Sequence, residues 1–411
     1  MIHKRGQEWQ VMTRKEVSQT TMRARLGDVA KNLLVLLVSF VVVLSFCELI
    51  LRVYNPLGFR IKGNKIILPV NKKEIIHHEH GLGKLDKIVV HQRNSLGFRG
   101  PEPSADFSRD LTIVTVGGST TECFGLAEDK TWPHVLGVNL QRRFTRLWLN
   151  NAGLSGNSTF GHGILMQDYL VKLNPKVVIF LVGINDLGIR GERDFDQRIH
   201  GVNLRSLERF LASAAVHSEL AAAGVNLYRY YFPKTVMINN QNDPQEIDFK
   251  KLPQFEVSGE ARAAIIKDHQ DHYVRPYKAR LEKLLAICRE HNILPVLLTQ
   301  PVLYGEGVDE ASGVDLGHRF VARDMDGATA WQVLDLYNGV TREVGREGGV
   351  VVIDLAREMP KNSAYYYDLM HYTNAGAARM ADIVAAQLTP FLAQKFPGYY
   401  RGSSAPQAAA P

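Results

Sequence analysis

Two periods of apolar residues alternate along this chain. Short, almost wholly apolar runs occur at Leu111-Thr-Ile-Val-Thr-Val116, Leu147 to Asn151, Lys176 to Val182, Ile293 to Thr299 and Val350 to Leu355. Runs of this length, rich in β-branched residues, read as strands buried on both faces, as in a parallel sheet. Between them the apolar positions recur every three to four residues, the spacing of one helix face. Trp132, Leu136, Leu140 and Phe144 form one such stripe, in a helix opening near Thr131 with Pro133 in its first turn. Leu281, Leu284, Leu285 and Cys288 lie on a helix predicted over Gly259 to His291, and another is predicted over Trp331 to Glu347. Met380, Ile383, Val384 and Leu388 face inward from a last helix, for which Asn374 is the expected N-cap. This alternation predicts a doubly wound α/β sheet of about five parallel strands.

The N-terminal pattern is different. Leu33 to Leu51 is nearly all Leu, Val and Phe, broken only by Ser39, Ser45, Cys47 and Glu48. As a helix it spans roughly 28 Å, about the thickness of a hydrocarbon core. Residues 1–32 hold seven Lys and Arg against three acidic residues, and the whole 411-residue chain carries +7. The remainder is therefore only weakly basic, which argues against nucleic-acid binding. Placed before an apolar helix, the basic excess reads as a cytoplasmic tail, residues 1–32, on a transmembrane signal anchor, residues 33–53. Arg52 lies one turn from Glu48, so the two are expected to pair at the membrane interface. No A-x-A site follows the apolar run, as a cleaved signal peptide would require. The expected topology is single-pass, with the N-terminus cytoplasmic and everything after Tyr54 on the other side of the membrane.

Residues 54–110 read as an extracytoplasmic lead-in of loops and short strands, with Gly97 and Gly100 as turn residues in Asn94-Ser-Leu-Gly-Phe-Arg-Gly100. His77-His-Glu-His80 has metal-ligand chemistry without helical spacing, and reads as a solvated loop. No metal or other cofactor is expected. Cys123 and Cys288 read as two small buried thiols rather than a disulfide. Residues 190–256 break the α/β pattern and read as an insertion over the carboxyl edge of the sheet, a lid or substrate wall. Residues 396–411 have the composition of a disordered tail.

Four points fall at or near strand ends, where a parallel sheet gathers ligands: Ser119, Gly156, Asn185 and Asp368-Leu-Met-His371. Their chemistry fits acyl transfer. A serine hydroxyl needs a base, His371 can serve, and Asp368 can hold the imidazole's tautomer. The Ser119 and Gly156 N–H groups and the Asn185 amide can stabilise an oxyanion. Gly117-Gly118-Ser119 lacks the G-x-G-x-x-G spacing and the lysine of phosphate-binding loops.

These blocks resemble the SGNH (GDSL-type) hydrolase family over about residues 94–395. Gly117-Gly-Ser119 is similar to its first block, Asn151-Ala-Gly-Leu-Ser-Gly156 to its second, Gly183-Ile-Asn-Asp186 to its third and Asp368-Leu-Met-His371 to its last. The lead-in Asn94 to Gly100 is similar to that of membrane-anchored bacterial members. The resemblance implies a three-layer α/β/α sandwich over residues 111–395, with Ser119 as nucleophile, Asp368 and His371 as acid and base, and no metal or cofactor. It also implies ester or thioester substrates, and Gly118 departs from it where the family usually has Asp. The expected function is a membrane-anchored serine esterase on an O-acyl ester of a cell-envelope glycan or lipid. The alternatives are an O-acyltransferase acting through the same acyl-enzyme, and a non-catalytic glycan-binding scaffold. Expected partners are the ester substrate and the membrane, with no nucleic acid.

Overall fold

The computed structural model describes residues 2–54, 70–78, 82–193, 217–231, 235–238, 246–322 and 324–402, with positions 66, 68, 196, 214 and 215. His80 and the tail beyond Gly402 lie outside the described residues, as does much of the 190–256 insertion. The chain divides into two compact units, one of residues 1–58 with 213–224 and one of the rest.

The first unit is built on a single helix, Ile2–Val53, with neither proline nor an interior break. Its segment Gly27–Val53 is long and apolar enough to cross a membrane, and begins six residues before the predicted span. Near its end Glu48 accepts from Arg52 Nε at 2.9 Å, the expected i,i+4 pair. The same carboxylate accepts from the Ser218 hydroxyl and from the N–H groups of Glu219 and Leu220, each at 2.9 Å. Those N–H groups open the helix Glu219–Tyr231, so an acidic side chain closes its positive end.

Among its described residues the second unit carries ten strands. Strands β1 (Lys73–His77), β2 (Ile88–Gln92) and β6 (Thr235–Ile238) form a small sheet in the order β2-β1-β6. The main sheet contains β3 (Leu111–Gly117), β4 (Leu147–Asn151), β5 (Val177–Leu181), β7 (Leu294–Leu298) and β10 (Val351–Ile353). Their order is β10-β7-β5-β3-β4 and every pairing is parallel. A two-stranded ribbon, β8 (Phe320–Ala322) with β9 (Met325–Asp326), completes the set. β3, β4 and β5 are buried along their whole length, as the continuous apolar runs require.

The helices form two groups. Trp132–Gln141 packs with Asn374–Lys395, while Thr159–Leu165, Arg275–Glu290 and Gly327–Gly348 pack with one another. Together with the sheet they make an α/β/α fold. Trp132, Leu136, Leu140 and Phe144 are all essentially inaccessible, as are Leu281, Leu284, Leu285 and Cys288.

Local differences from the sequence expectations have local causes. The predicted helix over 259–291 is interrupted by a π turn at Gln270–Val274. The helix predicted from Trp331 starts earlier, at Gly327, because Asp326 accepts from Thr329 N at 2.7 Å as its cap. Thr373, not Asn374, caps the last helix, its hydroxyl accepting from Gly376 N at 3.1 Å. His77 ends β1 and His78 is buried, so this part of the histidine cluster is no solvated loop. Cys123 and Cys288 are buried free thiols.

Candidate functional site

The parallel register puts every main-sheet carboxyl end at one edge, and five loops meet there. After β3, Gly118 carries the chain into a single helical turn, Ser119–Glu122, with Ser119 first in the turn. Cys123 ends this turn in the left-handed region at φ 54°. After β4, residues 152–158 double back, with Gly156 at φ +77°, a conformation glycine adopts without strain. After β5, Gly183 at φ +121° leads into the turn Ile184–Asp186.

The fourth expected block is a hairpin, pinned by an antiparallel bridge between Tyr366 and Tyr372. At its tip one Asp368 oxygen accepts the N–H groups of Met370 at 2.8 Å and His371 at 2.7 Å. The other oxygen lies 2.6 Å from His371 Nδ1. With Nδ1–H given to the carboxylate, Nε2 is the acceptor, and it stands 2.8 Å from Ser119 Oγ. Tyr367 stacks on the imidazole, with ring planes 11° apart. Hydroxyl, imidazole and carboxylate therefore form one continuous hydrogen-bonded row, drawn from positions 252 residues apart.

Of the three expected oxyanion donors, the N–H groups of Ser119 and Gly156 have no acceptor among the described residues. The Asn185 amide gives one hydrogen to Asn157 O at 3.0 Å, which leaves its second available. Gly118 explains how Asn185 reaches this position. A Cβ built on Gly118 would overlap the Asn185 amide nitrogen, so the absent side chain is what makes room for it. Asp186, next in sequence, is fully buried and accepts from the Thr159 hydroxyl at 2.5 Å and from Arg280 at 3.1 Å. These bonds tie the third block to the helix that follows the second.

Three groups of supporting residues are not among the expected site residues, although Arg99 lies in the lead-in Asn94 to Gly100. Arg99, whose side chain is fully buried, donates to the carbonyls of Glu122 at 2.5 Å, Cys123 at 2.9 Å and Leu126 at 2.9 Å, and to Glu128 at 2.9 Å. It closes the carbonyl end of the turn that Ser119 begins. Glu122 in turn pairs with Arg93 and accepts from Ser155 N at 2.7 Å, joining the first block to the second. Gln300, just past β7, accepts from the Thr120 hydroxyl at 3.1 Å and lies 3.5 Å from Tyr372 Oη. It thus links the residues immediately after Ser119 and His371. His162 is wholly buried near Gly117, and burial pushes its imidazole toward the neutral form.

Chemically, the arrangement can remove a proton from a serine hydroxyl while three donors face the same edge. Among the described residues no cluster of His, Cys, Asp or Glu fit to hold a metal ion is found.

A profile described as the GDSL-like lipase/acylhydrolase family matches residues 115–379, well over half of the chain. None of the curated proteins matches the chain significantly. Similar solved structures include an α/β hydrolase enzyme from the metagenome of Lake Arreo, Spain. It is 17% identical, with 69% of this chain and 97% of that one covered at TM-score 0.37. An acetyl xylan esterase is 14% identical, with 67% and 98% covered at TM-score 0.35. An acetylxylan esterase of Geobacillus stearothermophilus is also 14% identical, with 67% and 93% covered at TM-score 0.37.

Proposed function

The chain belongs to the GDSL-like lipase/acylhydrolase family and is an SGNH-type serine hydrolase, and from that premise we propose that it is a membrane-anchored esterase working through an acyl-enzyme on Ser119. His371 takes the serine proton as the hydroxyl attacks the ester carbonyl, and returns it to the leaving alcohol. Asp368 orients the imidazole and stabilises its charged form. The N–H groups of Ser119 and Gly156 and the Asn185 amide receive the developing oxyanion. Water then repeats the attack on the acyl-enzyme, with His371 again as base.

The observation that carries this reading is the unbroken row from Ser119 Oγ through His371 to Asp368, at 2.8 and 2.6 Å. The proposed location rests on the apolar helix Gly27–Val53 and the basic excess before it. It puts the esterase domain outside the cytoplasm, with an O-acyl ester of an envelope glycan or lipid as substrate.

One experiment tests both parts. Membranes from expressing cells are washed with carbonate, treated with a fluorophosphonate, and the modified residue is mapped. The expected result is a labelled chain retained in the membrane, modified at Ser119, with Ser119→Ala losing on the order of 10⁴-fold or more in kcat on p-nitrophenyl acetate. Labelling elsewhere, or undiminished turnover by Ser119→Ala, overturns the mechanism; release by carbonate overturns the anchoring.

A further inference from the structure

Gly156 sits at φ +77°, and the structure braces its peptide from both sides. Upstream, Ser155 is fixed by Glu122, which accepts both its N–H and its hydroxyl. Downstream, the Gly156 carbonyl accepts from Arg193 Nη2 at 2.7 Å. Arg193 belongs to the first residues of the 190–256 insertion, outside every block that the sequence singles out.

Arg193 is itself held in place. Asp196 is fully buried and accepts from Arg193 N at 2.9 Å, with Arg193 Nε 3.8 Å from the same carboxyl oxygen. Its other oxygen accepts from Ser158 N and Ser158 Oγ at 2.8 Å each, and from Gly161 N at 3.3 Å. One carboxylate thus ties the start of the insertion to the loop and helix that follow Gly156. The Arg193 side chain keeps 31% of its exposure, so its cation lies at the rim rather than in the core.

We propose that Arg193, oriented by Asp196, is a positioning residue of the oxyanion hole. It fixes the carbonyl side of Gly156, so that the N–H on the other side of that residue stays aimed at the reacting carbonyl. An N–H so aimed is worth more to the developing oxyanion than to the ground-state carbonyl, and Arg193 needs no contact with the ester to provide this. The opening of the insertion is then part of the catalytic framework, whatever the remainder does. The inference rests on the reading of Gly156 as an oxyanion donor.

The test compares the full-length wild type with Arg193→Gln and Arg193→Lys in detergent. Steady-state hydrolysis of p-nitrophenyl acetate is measured alongside inhibition by a phenylboronic acid, which forms a tetrahedral anion on serine. Active sites are counted by end-point fluorophosphonate labelling, so that misfolded protein is not scored as slow enzyme. In Arg193→Gln, kcat per labelled site should fall roughly 10- to 100-fold, less than for deleting a donor outright. KM should stay within about twofold, and the boronate inhibition constant should rise by the same factor as kcat falls. Arg193→Lys should recover part of both, since an ammonium keeps the charge but not the fork. Unchanged kcat in Arg193→Gln, or a fall in kcat with boronate affinity intact, overturns the proposal while leaving the esterase reading in place. A wild type that neither cleaves the ester nor takes the label removes both.

Discussion

Gly118 departs from the aspartate that the family resemblance leads us to expect, and a missing carboxylate beside a nucleophile suggests a weakened site. The coordinates supply another reason for the glycine. The Asn185 amide occupies the volume that a Cβ at 118 would need, and from there it donates to Asn157 O. The φ of −85° at Gly118 lies outside the left-handed region, and the constraint seen there is one of space. Because the obstructing atom is the end of a side chain, a larger residue can be accommodated by turning Asn185 away. Gly118→Ala and Gly118→Asp should therefore fold with melting temperatures close to wild type, yet lose the Asn185 donor. The expected loss in kcat approaches that of Asn185→Ala, about 3 kcal/mol of transition-state stabilisation. Steady-state kinetics of the three variants check this, and higher activity in Gly118→Asp than in wild type would show that the glycine is a defect.

At the level of elements, the lead-in before β3 does more than connect. Arg99 pairs backbone-to-backbone with Asn151 at the end of β4, at 2.8 and 2.9 Å, and inserts its guanidinium beneath the Ser119 turn. Asn94 holds this approach by accepting from Leu96 N and Phe98 N at 3.0 Å each. Gly97 and Gly100 turn the chain at φ +80° and +141°. Lysine at 99 keeps the charge but cannot serve three carbonyls and a carboxylate from one planar fork. Arg99→Lys should cost about 3 kcal/mol, the scale for breaking a buried, hydrogen-bonded charge. Denaturant unfolding measures this cost, and a loss under 1 kcal/mol would mean that water replaces the missing donors.

The same level shows what a linear reading can reach. Strands β3, β5 and β7 are legible because burial on both faces leaves an uninterrupted apolar run, and the ends of β3, β4 and β5 in turn locate Ser119, Gly156 and Asn185. Helix starts are less legible where two good caps adjoin, as Thr373 and Asn374 do. Only the fold decides that Thr373 is also within 2.8 Å of Ala364 O. The supporting bonds are not legible at all. Thr120 meets Gln300 across 180 residues and Arg193 meets Gly156 across 37, and none of these residue types is unusual in its local sequence.

At the scale of the folded body, one half-buried cation gives its stability a pH dependence. Lys361 lies on the segment between β10 and the Asp368 hairpin, with its ammonium 3.6 Å from the centre of the Trp331 ring. It donates to Val302 O at 3.2 Å and Tyr304 O at 2.5 Å, and no carboxylate lies within salt-bridge distance among the described residues. Burial outweighs the attraction of Asp335 and lowers its pKa from 10.5 to about 7. Between those values the unfolded chain holds a proton that the folded chain does not, so folding releases it. Stability from this group therefore rises as pH increases from about 7 toward 10, and below about 7 the penalty is constant. The slope is at most about 1.4 kcal/mol per pH unit. Lys361→Met removes the titrating group while keeping its apolar stem. The variant should gain most over wild type at pH 7 and progressively less by pH 9, below the range where exposed tyrosines ionise. Denaturant midpoints at the two pH values decide the matter, and parallel changes in both proteins would show that the two carbonyls and the Trp331 face hold the ammonium charged throughout.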